Sequence, residues 1–329
     1  MLNNMSLYGL CIVSCLIIDL KLKSEASIVS YNRPKFCPST RWTLNATTFA
    51  NRTLIGKQPR GIFINTMNVI YAADYSNGKI SVWNGNDSVL LEKISMNLSN
   101  PYSIFVTKDL DIYVDNGQNY SRIDKWDPKK NMSTPVMSVN SSCYGLFVDI
   151  NNYIYCSLNE YHQVIKHQLN NFNPSLILAA GTGVKGSALD MLNSPHGIFV
   201  HTNFDLYVAD CKNDRVQVFT KDNLTGLTVA GRNSSKFTIT LNCPAGVVLD
   251  LDEYLFIVDQ ENHRIIGSGL NGFHCLVGCS RLSNNSANQL DSPRTLSFDN
   301  FGNMYVTDRD NSRIQKFSIL TNSCGKYNF

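Results

Sequence analysis

The chain has few charged residues, and nowhere does its sequence concentrate positive charge. Charged residues are 17% of the 329 residues, the formal net charge is +3 at pH 7, and the only adjacent basic residues are Lys129 and Lys130. Binding to nucleic-acid phosphates needs a concentrated basic face. The composition therefore argues against a nucleic-acid partner.

Long hydrophobic runs are also scarce. The one apolar run, Leu7–Ile18, has 12 residues, which suits the core of a signal peptide better than a membrane span. We predict a signal peptide over residues 1–26, with cleavage near Ser24–Ser27, although no Lys or Arg precedes the run. An uncleaved anchor is the alternative. No other stretch could cross a membrane, so we expect a secreted, extracellular protein with no membrane span in the mature chain.

Complete catalytic motifs are absent from the sequence. There is no G-x-S-x-G, which argues against a serine-hydrolase elbow. The glycine-rich stretch Gly181–Gly186 lacks the GK[ST] ending of a phosphate-binding loop, and no RING-type Cys/His spacing occurs.

What the chain does have is one pattern repeated six times. The copy at Pro195–Phe219 contains three short runs rich in Val, Ile, Phe and Tyr, separated by polar turns, which is typical of strands in a meander. The copies begin at residues 59, 101, 143, 195, 244 and 293. A repeat of roughly 40 to 50 residues with several strands per unit indicates a β-propeller.

Further apolar runs between the copies supply a fourth strand for five of them. The sixth copy has none before the chain ends, but Thr43–Ala50 precedes the first copy and belongs to no blade. We therefore predict an all-β fold: one domain over 27–329, a six-bladed propeller of four-stranded antiparallel blades, closed by an N-terminal strand.

The repeat P-x-G-I-x-V-D, followed by IYVAD and N-x-R-I-Q-x-F, resembles the NHL repeat from about Pro59 to Phe317. The third copy departs most, with Cys143 in place of Pro and Leu158 in place of Asp. The resemblance implies a six-bladed propeller. It leaves function open, because NHL propellers include sensor domains, interaction modules of ubiquitin ligases and a few enzymes.

Eight cysteines remain after the predicted signal peptide. The propeller arrangement places certain cysteines near one another across a hairpin, between adjacent blades, or at the two ends of the chain. The expected disulfides are Cys143–Cys156, Cys211–Cys243, Cys37–Cys324 and Cys275–Cys279, the alternative being that some are buried free thiols.

Ten N-x-[ST] sequons follow the predicted signal peptide and are compatible with a glycosylated surface. Their asparagines are Asn45, Asn51, Asn86, Asn97, Asn119, Asn131, Asn140, Asn223, Asn233 and Asn284.

A metal site is the main catalytic alternative. His162 and His196 stand in contexts similar to those of zinc-binding histidines in the NHL propeller of peptidylglycine amidating lyase, but the expected further Pro-His motif is missing, so both are only weak candidates for a metal. A calcium-dependent lactonase would need inward-facing carboxylates. The aspartates that end second strands recur so regularly that we expect them to cap loops or pair with arginines; they are Asp74, Asp115, Asp210, Asp259 and Asp308.

The residue type at the second position of each repeat varies from copy to copy, whereas the residue types at the neighbouring positions mostly do not. First strands line the channel of a propeller, so these side chains should form a ring at one channel mouth. They are Arg60, Tyr102, Tyr144, His196, Ala245 and Arg294. Arginine offers a planar donor fork and tyrosine a rigid amphipathic contact, which together suit an acidic or planar polar ligand. A solvated rim without a ligand is the alternative.

We therefore predict a secreted, disulfide-stabilised, glycosylated propeller that binds an extracellular protein or an acidic or polar ligand at one channel face, with no catalysis and no cofactor. One alternative is a zinc- or calcium-dependent enzyme of the amidating-lyase or lactonase kind. Another is the substrate-recognition module of a ubiquitin ligase.

Overall fold

The structure is a computed structural model that describes residues 29–85, 89–96, 98–128, 130–169, 175–234, 239–269 and 272–321. The predicted signal peptide lies outside these residues. Among the described residues, no helix is long and apolar enough to cross a membrane.

The described residues form 26 strands and only four helical turns. The strands of the first half are β1 (Arg41–Trp42), β2 (Thr47–Ala50), β3 (Ile62–Ile64), β4 (Val69–Asp74), β5 (Lys79–Asn84), β6 (Val89–Ser95), β7 (Ile104–Val106), β8 (Ile112–Asp115), β9 (Arg122–Asp127), β10 (Met132–Ser138), β11 (Cys143–Val148), β12 (Tyr153–Leu158), β13 (Gln163–Gln168) and β14 (Ile177–Ala180). Those of the second half are β15 (Pro195–Val200), β16 (Leu206–Asp210), β17 (Arg215–Phe219), β18 (Leu227–Gly231), β19 (Pro244–Leu249), β20 (Leu255–Asp259), β21 (Arg264–Gly269), β22 (Gly272–Val277), β23 (Leu296–Phe298), β24 (Met304–Asp308), β25 (Arg313–Phe317) and β26 (Ile319–Thr321). The helical turns are α1 (Arg52–Ile55), α2 (Gly117–Tyr120) and two 3₁₀ turns, Cys211–Asn213 and Gln260–Asn262.

Six four-stranded antiparallel sheets confirm the predicted propeller. Five of them use four consecutive strands, beginning at β3, β7, β11, β15 and β19, and we number these blades 1 to 5. Blade 6 has the order β2-β25-β24-β23, with Thr47 opposite Lys316. The strand before the first repeat thus completes the last sheet, as predicted. A two-stranded sheet of β1 and β26 adds a second contact between the two ends of the described chain.

Small residues allow the innermost strands of neighbouring blades to approach closely. A Cβ placed on Gly145 would lie 2.7 Å from the carbonyl oxygen of His196, and one on Gly197 would lie 2.5 Å from that of Ala245. A backbone carbonyl cannot move aside to relieve such a clash, whereas the end of a flexible side chain could. The recurring glycine therefore follows from blade-to-blade packing, and it holds the mouth residue before it in a fixed place.

The recurring aspartates fasten the loops between blades. Asp210 is fully buried, and it accepts hydrogen bonds from the backbone N–H of Asn193 at 2.7 Å and from Arg215 Nε at 2.8 Å. Arg215 in turn donates to the carbonyls of Ser187, Ala188 and Met191. The same arrangement recurs in blades 5 and 6, with Asp259–Arg264 and Asp308–Arg313. These aspartates therefore have the capping and pairing contacts that we expected.

Three disulfides are present among the described residues: Cys143–Cys156 within blade 3, Cys211–Cys243 between blades 4 and 5, and Cys275–Cys279 at the end of β22. The expected Cys37–Cys324 bond involves Cys324, which lies outside the described residues. Three disulfides fit an oxidising, extracellular compartment.

The segment Val29–Phe36, which we call the N-terminal strap, crosses the face of the propeller opposite the predicted mouth. Asn32 Nδ2 donates to the carbonyls of Asn65 at 2.9 Å and Phe298 at 3.1 Å, which belong to blades 1 and 6. The Tyr31 ring makes edge contacts with three phenylalanines of the channel at centroid distances of 5.4 to 6.3 Å. The strap therefore lies across the channel at this face.

Candidate ligand site at the channel mouth

The structure brings the predicted mouth residues together. The rings of Tyr102 and Tyr144 stack at 4.2 Å, and the Arg60 guanidinium lies 4.1 Å from the Tyr102 ring centroid. His196 continues the row, 5.1 Å from Tyr144. Sequence reasoning missed Tyr75, whose ring lies 3.9 Å from the Arg60 guanidinium and 5.4 Å from the Tyr102 ring. Because Tyr75 follows a second strand rather than occupying the repeated position, the repeat alignment gave no signal for it.

Arg294 extends across the mouth towards His196. Its Nη1 lies 2.7 Å from His196 Nδ1, and its guanidinium carbon lies 4.7 Å from the Tyr144 ring centroid. The mouth residue between Arg294 and His196 in ring order is Ala245, which lines the same cavity. Its short side chain leaves the room that the long Arg294 side chain uses.

His196 is held in its neutral form. Burial lowers the pKa of His196 well below its usual value, and the positive charge of Arg294 lowers it further. Because arginine can only donate hydrogen bonds, the close contact requires His196 Nδ1 to accept. The proton of the neutral ring is therefore on Nε2.

Arg294 is a buried cation without a carboxylate partner. Its exposed fraction is 3%, and burial, followed by the charge of Arg60, lowers its pKa to about 9. Besides His196, its Nη1 donates to Gln260 Oε1 at 3.1 Å, while Nε and Nη2 have no hydrogen-bond partner among the described residues. Arg60 Nε also has none. Three buried donors on two cations thus lack an acceptor among the described residues.

Asp310 does not neutralise these arginines. Asp310 is close enough to Arg60 for that charge to act on its pKa, yet both of its carboxylate oxygens accept from Arg309, at 2.9 and 2.7 Å. Within the described part of the chain, neither Arg60 nor Arg294 takes part in an ion pair. The mouth is therefore electropositive, with aromatic rings as its walls.

A cavity of about 100 Å³ continues from the mouth into the channel. Beyond the mouth residues its lining becomes apolar, with Phe63, Phe105, Phe147 and Phe199 from four first strands and Tyr31 from the N-terminal strap. Tyr31 could not be placed there from the sequence, because the strap lies outside the repeats.

The two weak metal candidates are not brought into one metal-binding group. Within the described residues, the group of possible metal ligands is His196, Cys211 and Cys243, but the two sulfurs are bonded to each other. Disulfide sulfurs are not the thiolates that bind zinc. His162 Nδ1 instead accepts a hydrogen bond from the backbone N–H of Ser194 at 3.1 Å.

Comparisons with known proteins identify the repeat and the fold. The NHL repeat family model matches residues 192–219, which contain the first three strands of blade 4. No curated protein sequence matches the chain significantly. Solved structures with 10 to 15% identity share the fold, so the likeness carries no more than that.

Three of these structures show the range of proteins that share this propeller. An auxiliary nutrient binding protein from Bacteroides thetaiotaomicron has 15% identity and a TM-score of 0.64 over 88% of this chain and 76% of its own. Virginiamycin B lyase from Staphylococcus aureus has 13% identity and a TM-score of 0.59 over 84% and 99%. A protein named as a candidate gluconolactonase has 10% identity and a TM-score of 0.60 over 88% and 97%.

Proposed function

We propose that this chain, a six-bladed β-propeller with an NHL repeat, is a secreted binding protein that recognises an acidic group at the channel mouth and catalyses no reaction. The observation that carries the proposal is the pair Arg60 and Arg294, which converge on one cavity with three hydrogen-bond donors lacking partners. An unpaired buried charge destabilises a fold. Its presence is accounted for if an anionic ligand neutralises it.

The aromatic residues support recognition rather than catalysis. Tyr102 and Tyr144 are partly exposed and stacked, so they present a rigid wall to whatever enters. His196 is neutral and occupied by Arg294, and no carboxylate that could act as a base pairs with it among the described residues. The mouth therefore offers donors and surfaces but no acid–base pair.

Secretion is part of the proposal and is supported by two observations. The disulfides fit an oxidising compartment. The eight sequon asparagines that the structure describes are all exposed, whereas Asn86 and Asn97 lie outside the described residues. Expression with the native N-terminus in cultured animal cells should release the protein into the medium, and treatment with an endoglycosidase should reduce its apparent mass. Retention inside the cells, without glycans, would contradict this part of the proposal.

The binding proposal is tested by comparing captures from extracellular fluid. Immobilised wild-type protein should retain at least one protein or acidic ligand that the Arg60→Ala/Arg294→Ala variant does not. Arg52→Ala is the matched control, because Arg52 is exposed on α1 and does not line the cavity. Equal recovery of every bound species by all three proteins, at equal thermal stability, would refute a mouth site.

A further inference from the structure

The cavity that continues from the channel mouth changes character along its length. Arg60 and Arg294 lie at the mouth, and three residues further along each first strand lies a second ring of side chains, which we call the girdle. The girdle consists of Phe63, Phe105, Phe147, Phe199, Val248 and Ser297. A molecule in this cavity therefore meets cationic donors at one end and hydrocarbon surface at the other.

The girdle is incomplete on one side. Its four phenylalanines contact one another in sequence, with ring centroids 4.8 to 5.2 Å apart. In blades 5 and 6 the corresponding residues are Val248 and Ser297, which are smaller and only half-buried. Blade 6 is also the blade that supplies Arg294. Arg294 thus starts on the open side of the girdle, and its guanidinium extends from there towards Gln260 and His196 in blades 5 and 4.

We propose that the cavity binds a short aliphatic monocarboxylate, with its carboxylate on Nε and Nη2 of Arg294 and its hydrocarbon tail in the open side of the girdle. A carboxylate is planar and accepts two parallel N–H bonds from a guanidinium. The cation has no ion-pair partner among the described residues, so the ligand supplies the missing charge.

The cavity volume limits the length of the tail. An engineered apolar cavity of about 150 Å³ accepts benzene, and the volume here is about 100 Å³. An acid of about two to four carbons therefore fits, whereas an aromatic acid such as benzoate exceeds the space. The partly exposed Arg60, Tyr102 and Tyr144 lie at the entrance through which the acid passes.

This inference rests on the proposed function, because it names the ligand of the same mouth, and one substitution separates the two. Ser297→Leu extends the girdle into the cavity without touching an arginine or a tyrosine of the mouth. Ser297→Ala is the conservative control, since it removes the hydroxyl and leaves the space. A partner that binds at the rim should tolerate both substitutions, whereas a short acid should tolerate only the second.

The experiment is titration calorimetry of the purified, disulfide-bonded protein with butyrate, benzoate and phosphate at pH 7. We expect butyrate to bind the wild type and Ser297→Ala alike, at least tenfold more weakly to Ser297→Leu, and at least tenfold more weakly to Arg294→Met. Benzoate and phosphate should bind at least tenfold more weakly than butyrate.

Three results would overturn the inference. Equal affinity for phosphate and butyrate would show that the tail contributes nothing. Butyrate binding unaffected by Ser297→Leu would place the acid elsewhere. If none of the three probes binds while the capture experiment still depends on Arg60 and Arg294, the mouth recognises a macromolecule and the cavity has no small-acid role. If that capture also fails, the proposed function itself is wrong.

Discussion

Replacing Arg294 by Met should make the free protein more stable while removing its ligand. Burial lowers the pKa of Arg294 to about 9, several pH units below its usual value. At about 1.4 kcal/mol per pH unit, the charged form destabilises the fold by about 5 kcal/mol at neutral pH. Methionine fills a similar space without a charge. The substitution also removes stabilising contacts, namely the hydrogen bonds to His196 and Gln260 and the contact with the Tyr144 ring.

These losses come to about 3 kcal/mol, at about 1 kcal/mol for each interaction. We therefore expect Arg294→Met to raise the free energy of unfolding by about 2 kcal/mol. The measurement is urea denaturation at pH 7 in a buffer free of carboxylates. Because the folded-state pKa of Arg294 lies below its unfolded value, the penalty is present below pH 9 and decreases as pH rises above 9. The gain from the substitution should accordingly be smaller at pH 10.

Arg215 supplies the matched comparison. It is as deeply buried as Arg294, with 1% of its surface exposed, but it pairs with Asp210 at 2.8 Å and donates to three loop carbonyls. Arg215→Met leaves a buried carboxylate unpaired and should lower the free energy of unfolding by about 3 to 5 kcal/mol. If both substitutions destabilised the protein by similar amounts, Arg294 would be a structural residue, and the reasoning about an unneutralised cation would be wrong.

Other substitutions test the remaining parts of the fold. Burial raises the pKa of Asp115 to about 7 from 3.8, so its contribution to stability is present below about pH 4 and is lost as pH rises to 7. In urea titrations over that range, the wild type should lose about 4 kcal/mol of unfolding free energy relative to Asp115→Asn. An unfolding free energy with the same pH dependence in both proteins would contradict the pKa shift. Replacing Cys143 and Cys156 by Ser opens a loop of 13 residues and should lower the free energy of unfolding by about 3 kcal/mol in the same assay. An unchanged denaturation midpoint would show that the disulfide does not form. Gly145→Ala places a Cβ 2.7 Å from a carbonyl oxygen of the next blade and should lower the melting temperature. Gly269→Ala should not lower it, because the nearest atom to the added Cβ is 3.4 Å away. Equal effects of the two substitutions would reject close blade packing as the reason for the glycine at position 145.

The sequence predicted the fold well because the propeller is specified locally and repeatedly. Each blade has its own strand pattern and turns, so six copies give independent indications of the same arrangement. The closing strand could also be predicted, since blade 6 had no fourth strand of its own and Thr43–Ala50 belonged to no other blade.

The mouth residues could be predicted as a ring, but not their contacts. That Arg294 reaches His196 depends on the room beside Ala245 and on one choice of side-chain conformation. Neither is visible in a repeat alignment. Likewise, the recurring aspartates predicted capping, but the particular carbonyls that Arg215 binds depend on loop geometry.

The N-terminal strap could not be predicted, because it has no strand or helix periodicity. Its hydrogen bonds join residues as far apart as Asn32 and Phe298. The backbone N–H of Phe36 donates a hydrogen bond to Asp250 Oδ2 at 3.2 Å, and the Tyr31 ring packs against phenylalanines from three blades. Such contacts exist only once the ring has closed, so no local pattern in the sequence encodes them.

The most direct test of the central claim is to locate an anion in the mouth. Crystals of the protein soaked in 3-bromopropionate, a short acid with a heavy atom on its tail, would give an anomalous signal for the bromine. We expect that signal at Val248 and Ser297, with the carboxylate within hydrogen-bonding distance of Nε and Nη2 of Arg294. A channel without the acid, while Arg294 keeps both donors without a partner, would contradict the claim that this arginine serves an anionic ligand.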